Sequence, residues 1–178
     1  KKIKMNIDIR EINIPILGIC YGIQYIADIY GGKVSQSQKR EFGHSVFRVL
    51  KTSKLFPNKI INKNINVWMS HSDKVSKVPN NFKITGKSTN SNIASFSSED
   101  KNIYALQFHP EVTNTQFGVN IIKSFITNIC KCRKKWTTRN IIDEKVFTIK
   151  ETVKKEKVLL ALSGGVDSTV VAVLLKKA

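Results

Sequence analysis

From residue 14 onward the chain alternates apolar runs with polar intervals. Ile14–Ile19 is apolar except for Pro15 and Gly18, which predicts a buried strand. Cys20-Tyr21-Gly22 turns the chain, and Ile23, Ile26, Ala27 and Tyr30 then recur at helical spacing until Gly31-Gly32 stops the helix. Residues 33–108 read mostly as short strands over 46–50, 65–69, 82–86, 93–96 and 103–108, separated by stretches rich in Asn, Ser and Lys. Phe117, Ile121, Ile122, Phe125, Ile126 and Ile129 fall on one face of a second amphipathic helix over 117–129.

The pattern changes at residue 130. Residues 131–156 are charged, and Ile141, Ile142, Val146, Ile149 and Val153 suggest a linker or connecting helix. Val158–Leu162 predicts a buried strand, Ser163-Gly164-Gly165 a loop, and residues 168–177 a helix, which together open a new α/β unit. The expected organisation is therefore a domain over 1–130, a connection over 131–156 and the beginning of another domain over 157–178, whose apolar face would be left uncovered.

The 178 residues are 41% hydrophobic, enough for a globular core. No apolar run approaches the roughly 20 residues that span a bilayer. The opening Lys1-Lys2-Ile3 lacks the apolar region of a signal peptide. A cytoplasmic protein with no membrane partner is expected, and the absent initiator Met suggests a chain that begins inside its gene. Three cysteines, Cys20, Cys130 and Cys132, form no disulfide framework, and Cys130/Cys132 lack a second pair at zinc-site spacing. The net charge of +17 would suit nucleic acid, but 25 of the 30 basic residues are Lys, scattered apart from Lys131–Lys135. No aromatic side chains interleave with them to stack bases, so no nucleic-acid partner is expected.

Three segments carry chemistry. Gly18-Ile19-Cys20-Tyr21-Gly22 has the spacing of a nucleophile elbow, in which small residues two places either side let the backbone pass and the helix N-terminus lowers the thiol pKa. A buried structural Cys at a strand–helix junction is the other reading. In Gln107-Phe108-His109-Pro110-Glu111, His109 and Glu111 are two apart and point to one face of extended backbone. A carboxylate on one imidazole nitrogen leaves the other to take a thiol proton, whereas a strand-end cap is the plainer alternative. Ser163-Gly164-Gly165-Val166-Asp167-Ser168 lies between a predicted strand and helix, where glycines and a helix N-terminus can wrap an anion. It lacks the spacing and Lys of a Walker A loop, and an ordinary glycine turn is its simpler reading.

Gly18–Gly22 and His109–Glu111, in this order and at this separation, resemble the two signature segments of class I glutamine amidotransferases. The resemblance implies an α/β fold with a flavodoxin-like open sheet, here without its N-terminal part. It implies that Cys20 attacks the side-chain amide of glutamine, with His109 as base and then acid and Glu111 as its partner. Ammonia leaves, and the γ-glutamyl thioester is hydrolysed. Tyr21 N–H would supply half of the oxyanion hole; the glycine-rich turn that supplies the other half is not found in residues 1–19. Gln24 matches the substrate-amide contact of that family. Trp68-Met69-Ser70-His71-Ser72-Asp73 resembles its second glutamine-binding stretch, placing Ser70, His71 and Asp73 at the substrate, although Asp73 also reads as a turn residue.

Ser163–Ser168 matches the PP-loop of N-type ATP pyrophosphatases, which implies the first strand, loop and helix of an adenine nucleotide alpha hydrolase-like domain. Gly164, Gly165 and Val166 would then lie along the phosphates of ATP, Ser163 and Ser168 would donate hydroxyls, and Asp167 would either sit near Mg²⁺ or cap the helix. An amidotransferase followed by a PP-loop is similar to the GMP synthetase family, and Arg40–Gly43, Cys132–Thr137 and Ile141–Asp143 share in that likeness, which spans residues 14–178. It implies glutamine, xanthosine monophosphate (XMP) and ATP with Mg²⁺ as substrates. GMP, AMP, pyrophosphate and glutamate would be the products. No tightly bound cofactor or certain metal site is implied, and a homodimer would form through a C-terminal domain missing here. The alternatives are the amidotransferase subunit of another synthetase, a stand-alone glutamine hydrolase, and a PP-loop enzyme that modifies tRNA.

Overall fold

The computed structural model describes residues 7–133 and 137–178. Lys1–Ile3 lies outside them, and the basic run Lys131–Lys135 and the segment Cys132–Thr137 lie partly outside. The chain divides into two units, Lys1–Cys132 and Arg133–Ala178.

The first unit is an α/β sheet of six strands in the order β1-β6-β5-β4-β2-β3. β1 (Ile16–Ile19) leads through α1 (Tyr21–Ile29) into a long hairpin of β2 (Lys33–Val49) and β3 (Asn64–Lys77). β4 (Lys83–Ser88), β5 (Ser95–Ser98) and β6 (Ile103–Leu106) follow, and α2 (Gly118–Ser124) continues into a π-helical turn over Phe125–Ile129. β1 and β6 are parallel neighbours and the remaining pairs are antiparallel.

Alternation along β6 divides the core. Tyr104 and Leu106 join Phe47, Val67, Met69, Phe108 and Ile121 on one face of the sheet. Ile103 and Ala105 join Ile23, Ile26, Ala27, Val75 and Phe96 on the other. A strand covered on both faces is apolar throughout, and Ile103–Leu106 is fully buried.

The hairpin is longer than its hydrophobic pattern predicts. Residues 33–40 are nearly all polar, so no apolar alternation marks them, and it is the pairing of Lys33–Gln36 with β3 that makes their start β-structure. The ladder slips between Gln36 and Glu41, so the intervening residues bulge out of register. The predicted helix over 117–129 also differs. Phe117 adopts a left-handed conformation before α2 begins, and the π turn rotates Ile126 outward, leaving it 44% exposed.

The second unit contains α3 (Thr138–Val153) and α4 (Val166–Lys177). Thr137 caps α3 by accepting from Asn140 N–H at 3.2 Å. The strand expected over Val158–Leu162 is not formed, and Leu159 is fully exposed. Strand geometry is held by hydrogen bonds to a neighbour, and the described residues of this unit offer none. Among the described residues no helix is long and apolar enough to cross a membrane.

Candidate active site

Cys20 sits where β1 ends and α1 begins, with its backbone at φ 54°, ψ −103°. Positive φ in a non-glycine residue costs free energy that the surroundings must offset. Here Cys20 N–H donates to the Leu106 carbonyl at 2.9 Å, continuing the parallel β1–β6 ladder one residue past the strand. The turn needs Gly18: a Cβ there would stand 2.5 Å from Ile26 Cδ1 and 2.8 Å from the Gly22 backbone. The expectation that Gly22 is needed for the same reason is not met, because a Cβ at Gly22 would meet nothing within 4 Å. Gly18→Ala should therefore destabilise the protein by about 1–3 kcal/mol, as overpacking does, and Gly22→Ala by much less, in denaturant titrations of the two variants.

β1 and β3 are opposite edges of the sheet, yet the sheet curls so that the turn after β1 reaches β3. The Cys20 thiol donates to the Ser70 carbonyl at 3.4 Å. The segment after β6 closes the same seam: His109 N–H donates to the Trp68 carbonyl at 2.9 Å, and Gln116 N–H to the Asn66 carbonyl at 2.8 Å. Trp68 N–H donates to Thr115 Oγ1 at 3.1 Å, and that hydroxyl donates to the His109 carbonyl at 2.6 Å. The edge strand is covered, and His109 is delivered to the end of the sheet that carries Cys20.

His109 Nδ1 lies 2.6 Å from Glu111 Oε1. A carboxylate accepts, so Nδ1 carries the proton and Nε2 is the basic nitrogen. Nε2 is buried and has no hydrogen-bond partner among the described residues. Burial pushes the Cys20 thiol above its ordinary pKa; the Tyr21 N–H opposes this, and the Glu111 charge adds to the rise. The helix N-terminus thus does not produce the lowered thiol pKa expected from the sequence, because desolvation at the seam outweighs it. Thiolate formation here calls for a base. Since Glu111 disfavours the anion, Glu111→Gln should lower the pH midpoint of Cys20 alkylation by iodoacetamide. An unchanged or raised midpoint would contradict that electrostatic coupling.

Gln24, on α1, is buried and donates through Nε2 to the Asp73 carbonyl at 2.9 Å. Asp73 itself is exposed, and its carbonyl also receives His71 Nδ1 at 2.9 Å. Gln107, fully buried, donates to the Cys20 carbonyl at 3.4 Å. The polar Gln107 at the end of an apolar strand was a readable signal of such a role. Thr115, which fixes His109, carried none.

In the second unit Gly164 has φ +83°, a conformation that requires glycine or strain, and α4 starts at Val166 without a side-chain cap. Ser163 and Ser168 hydroxyls stand 3.2 Å apart, and Ser168 Oγ also donates to the Gly165 carbonyl at 3.1 Å. Asp167 lies in the first turn of the helix. Backbone donors at an uncapped helix start, flanked by two hydroxyls, suit a phosphate group.

The family model for "Glutamine amidotransferase class-I" matches residues 1–129. The chain belongs to this family. Curated relatives agree: a GMP synthase [glutamine-hydrolyzing] of Thermosipho melanesiensis is 49% identical over 170 residues, covering 96% of this chain and 33% of the relative. A GMP synthase [glutamine-hydrolyzing] of Haemophilus influenzae is 46% identical over 173 residues, covering 93% and 33%. The chain spans about a third of the length of the curated relatives it matches. Among solved structures, a Thermoplasma acidophilum protein provisionally described as one subunit of a GMP synthase superposes with TM-score 0.65 at 36% identity, over 69% of this chain and 60% of that one. A glutamine amidotransferase of Thermotoga maritima, at 21% identity and TM-score 0.51, shares the fold over 93% of this chain and 60% of its own.

Proposed function

We propose that this chain supplies the glutamine-hydrolysing domain of a GMP synthetase together with the opening of its ATP-cleaving domain. The observation that carries the glutaminase half is the His109–Glu111 pair with an unpartnered, buried Nε2, at the seam that holds the strained Cys20. In this reading His109 Nε2 takes the Cys20 proton, and the thiolate attacks the glutamine side-chain amide. The tetrahedral oxyanion is met by the Tyr21 N–H. His109 then protonates the departing ammonia, and a water hydrolyses the thioester to glutamate with His109 again as base. Gln24, Ser70, His71 and Asp73 line the approach of the substrate.

The synthetase half rests on the 46–50% identity to proteins named GMP synthase and on the fit of Ser163–Ser168 to a phosphate. ATP with Mg²⁺ would be held there as a substrate, its β- and γ-phosphates along Gly164, Gly165 and Val166, while Asp167 lies close enough in sequence to serve the cation. Adenylation activates the C2 oxygen of XMP, and ammonia displaces AMP to give GMP. The reading extends to a homodimeric, cytoplasmic enzyme.

The test is product analysis on the full-length protein. With glutamine, ATP, Mg²⁺ and XMP it should form GMP, AMP, pyrophosphate and glutamate in equal amounts. Glutamate without GMP would favour a glutamine hydrolase or a different synthetase, and AMP formation dependent on tRNA rather than XMP would favour an RNA-modifying enzyme.

A further inference from the structure

Two ionisable side chains are buried against one another inside the β2–β3 hairpin, and the proposed proton transfers use neither. Glu41 is 5% exposed and His71 6%, and they are direct partners across the two strands. The irregularity between Gln36 and Glu41 shifts β2 to a new register against β3, and this pair is the first of the new ladder. Bulges of this kind re-aim a side chain beside a site.

Both ends of the pair are anchored. Ser45 Oγ donates to Glu41 Oε1 at 2.7 Å and Ser88 Oγ to Oε2 at 2.9 Å, while His71 Nε2 faces Oε2 at 3.3 Å, within ion-pair distance but without hydrogen-bond geometry. Burial alone would raise the Glu41 carboxyl, but the contacts from His71, Ser45 and Ser88 outweigh it and hold it below its ordinary value. On the other side of the ring, Nδ1 reaches the Asp73 carbonyl, which also accepts from Gln24. A carbonyl can only accept, so Nδ1 is the donor. The residue before His71 is Ser70, whose carbonyl receives the Cys20 thiol. His71 therefore ties the 70–73 backbone, which touches both Cys20 and Gln24, to a carboxylate fixed from β2 and β4.

Stability alone is a poor reason for such a pair. Desolvation of two buried polar side chains roughly cancels what their mutual contact contributes, and apolar side chains of the same volume serve a core as well. Apolar side chains cannot, however, hold a backbone carbonyl at hydrogen-bond length in one orientation.

We propose that Glu41 is a positioning residue, acting through His71 to fix the Ser70–Asp73 backbone against Cys20 and Gln24 and so to set how glutamine is seated. The inference rests on the glutaminase reading, with Cys20 as nucleophile. In the full-length protein, Glu41→Gln should lower kcat/KM for glutamate release from glutamine about 10- to 100-fold, the usual consequence of an ångström-scale misplacement near a reacting centre. Glu41→Asp, which restores a carboxylate, should recover part of the loss. Alkylation of Cys20 by iodoacetamide, which needs no seated substrate, should stay near the wild-type rate.

Near-normal kcat/KM in Glu41→Gln overturns the proposal. So does an equal loss of alkylation, which would mean general disruption of the fold. If Glu41→Gln does not fold, His71→Asn decides, because its amide keeps a donor near the Asp73 carbonyl but abandons Glu41. A 10- to 100-fold loss with normal alkylation then supports the role, and wild-type kinetics overturn it. A Cys20→Ala control that still releases glutamate would instead refute the glutaminase reading itself.

Discussion

Cys20→Ala in the full-length protein is expected to cut glutamine-dependent GMP formation by at least about 10⁴-fold, while added ammonia supports GMP formation at close to the wild-type rate. Loss of a covalent nucleophile removes the intermediate rather than weakening it, and residual catalysis from binding and oxyanion contacts is small by comparison. The substitution is mild for the fold. The Cys20 thiol donates to the Ser70 carbonyl, and the strained backbone is held by the Cys20 N–H on Leu106. Ala tolerates positive φ no better than Cys and no worse, so the elbow should survive. Parallel rates of GMP formation with glutamine and with ammonia separate the outcomes. Loss of both without unfolding would mean that Cys20 serves the synthetase rather than the hydrolysis of glutamine, and survival of both would mean that another group is the nucleophile.

The parts of this site legible in the sequence are those whose geometry is local. Gly18 and Cys20 are two residues apart, as are His109 and Glu111, so each feature lies within one short segment, although the His109–Glu111 pair forms across a turn after β6 and not along extended backbone. What brings the two segments together is not local. It depends on the curl that places β3, at one edge of the sheet, beside the turn that follows β1 at the other, and no periodicity in Asn64–Lys77 encodes that. The sign of the Cys20 shift is hidden for the same reason: the helix start is visible in sequence, whereas the burial that overrides it is a property of the folded seam, and the charge that adds to it comes from Glu111, about 90 positions away. Glu41 was legible only as part of Arg40–Gly43, because its partners His71, Ser45 and Ser88 sit on three stretches of chain. Val158–Leu162 shows the converse. Its apolar run is a sound strand signal, but a strand is a relation between two segments, and among the described residues of this unit none pairs with it.

The glycines of Ser163–Ser168 are the most exacting test of the synthetase assignment, and the backbone separates their roles. Gly164 stands at φ +83° with open space where a Cβ would go, so a side chain there is opposed by the backbone and not by crowding. Left-handed backbone costs an L residue about 1–2 kcal/mol, and a β-branched one more. The loop is exposed, so Gly164→Val should relax it to negative φ and turn its N–H groups away from the uncapped start of α4. Gly165 has φ −74° and ψ 167°, extended backbone open to any residue, and its Cβ would make an ordinary contact 3.6 Å from Ser163 Oγ. Gly165→Ala should therefore leave the loop in place. In the full-length protein, with ammonia as nitrogen donor and XMP saturating, Gly164→Val should slow pyrophosphate release about 10²- to 10³-fold, the range for losing a preorganised backbone donor to developing charge. Gly165→Ala should stay close to wild type, and the Cys20 thiol of both variants should alkylate normally, since it belongs to the other unit. Near-normal pyrophosphate release from Gly164→Val would remove the phosphate-loop assignment, and with it the choice of GMP synthetase over every other amidotransferase, whatever the fate of the Cys20 site.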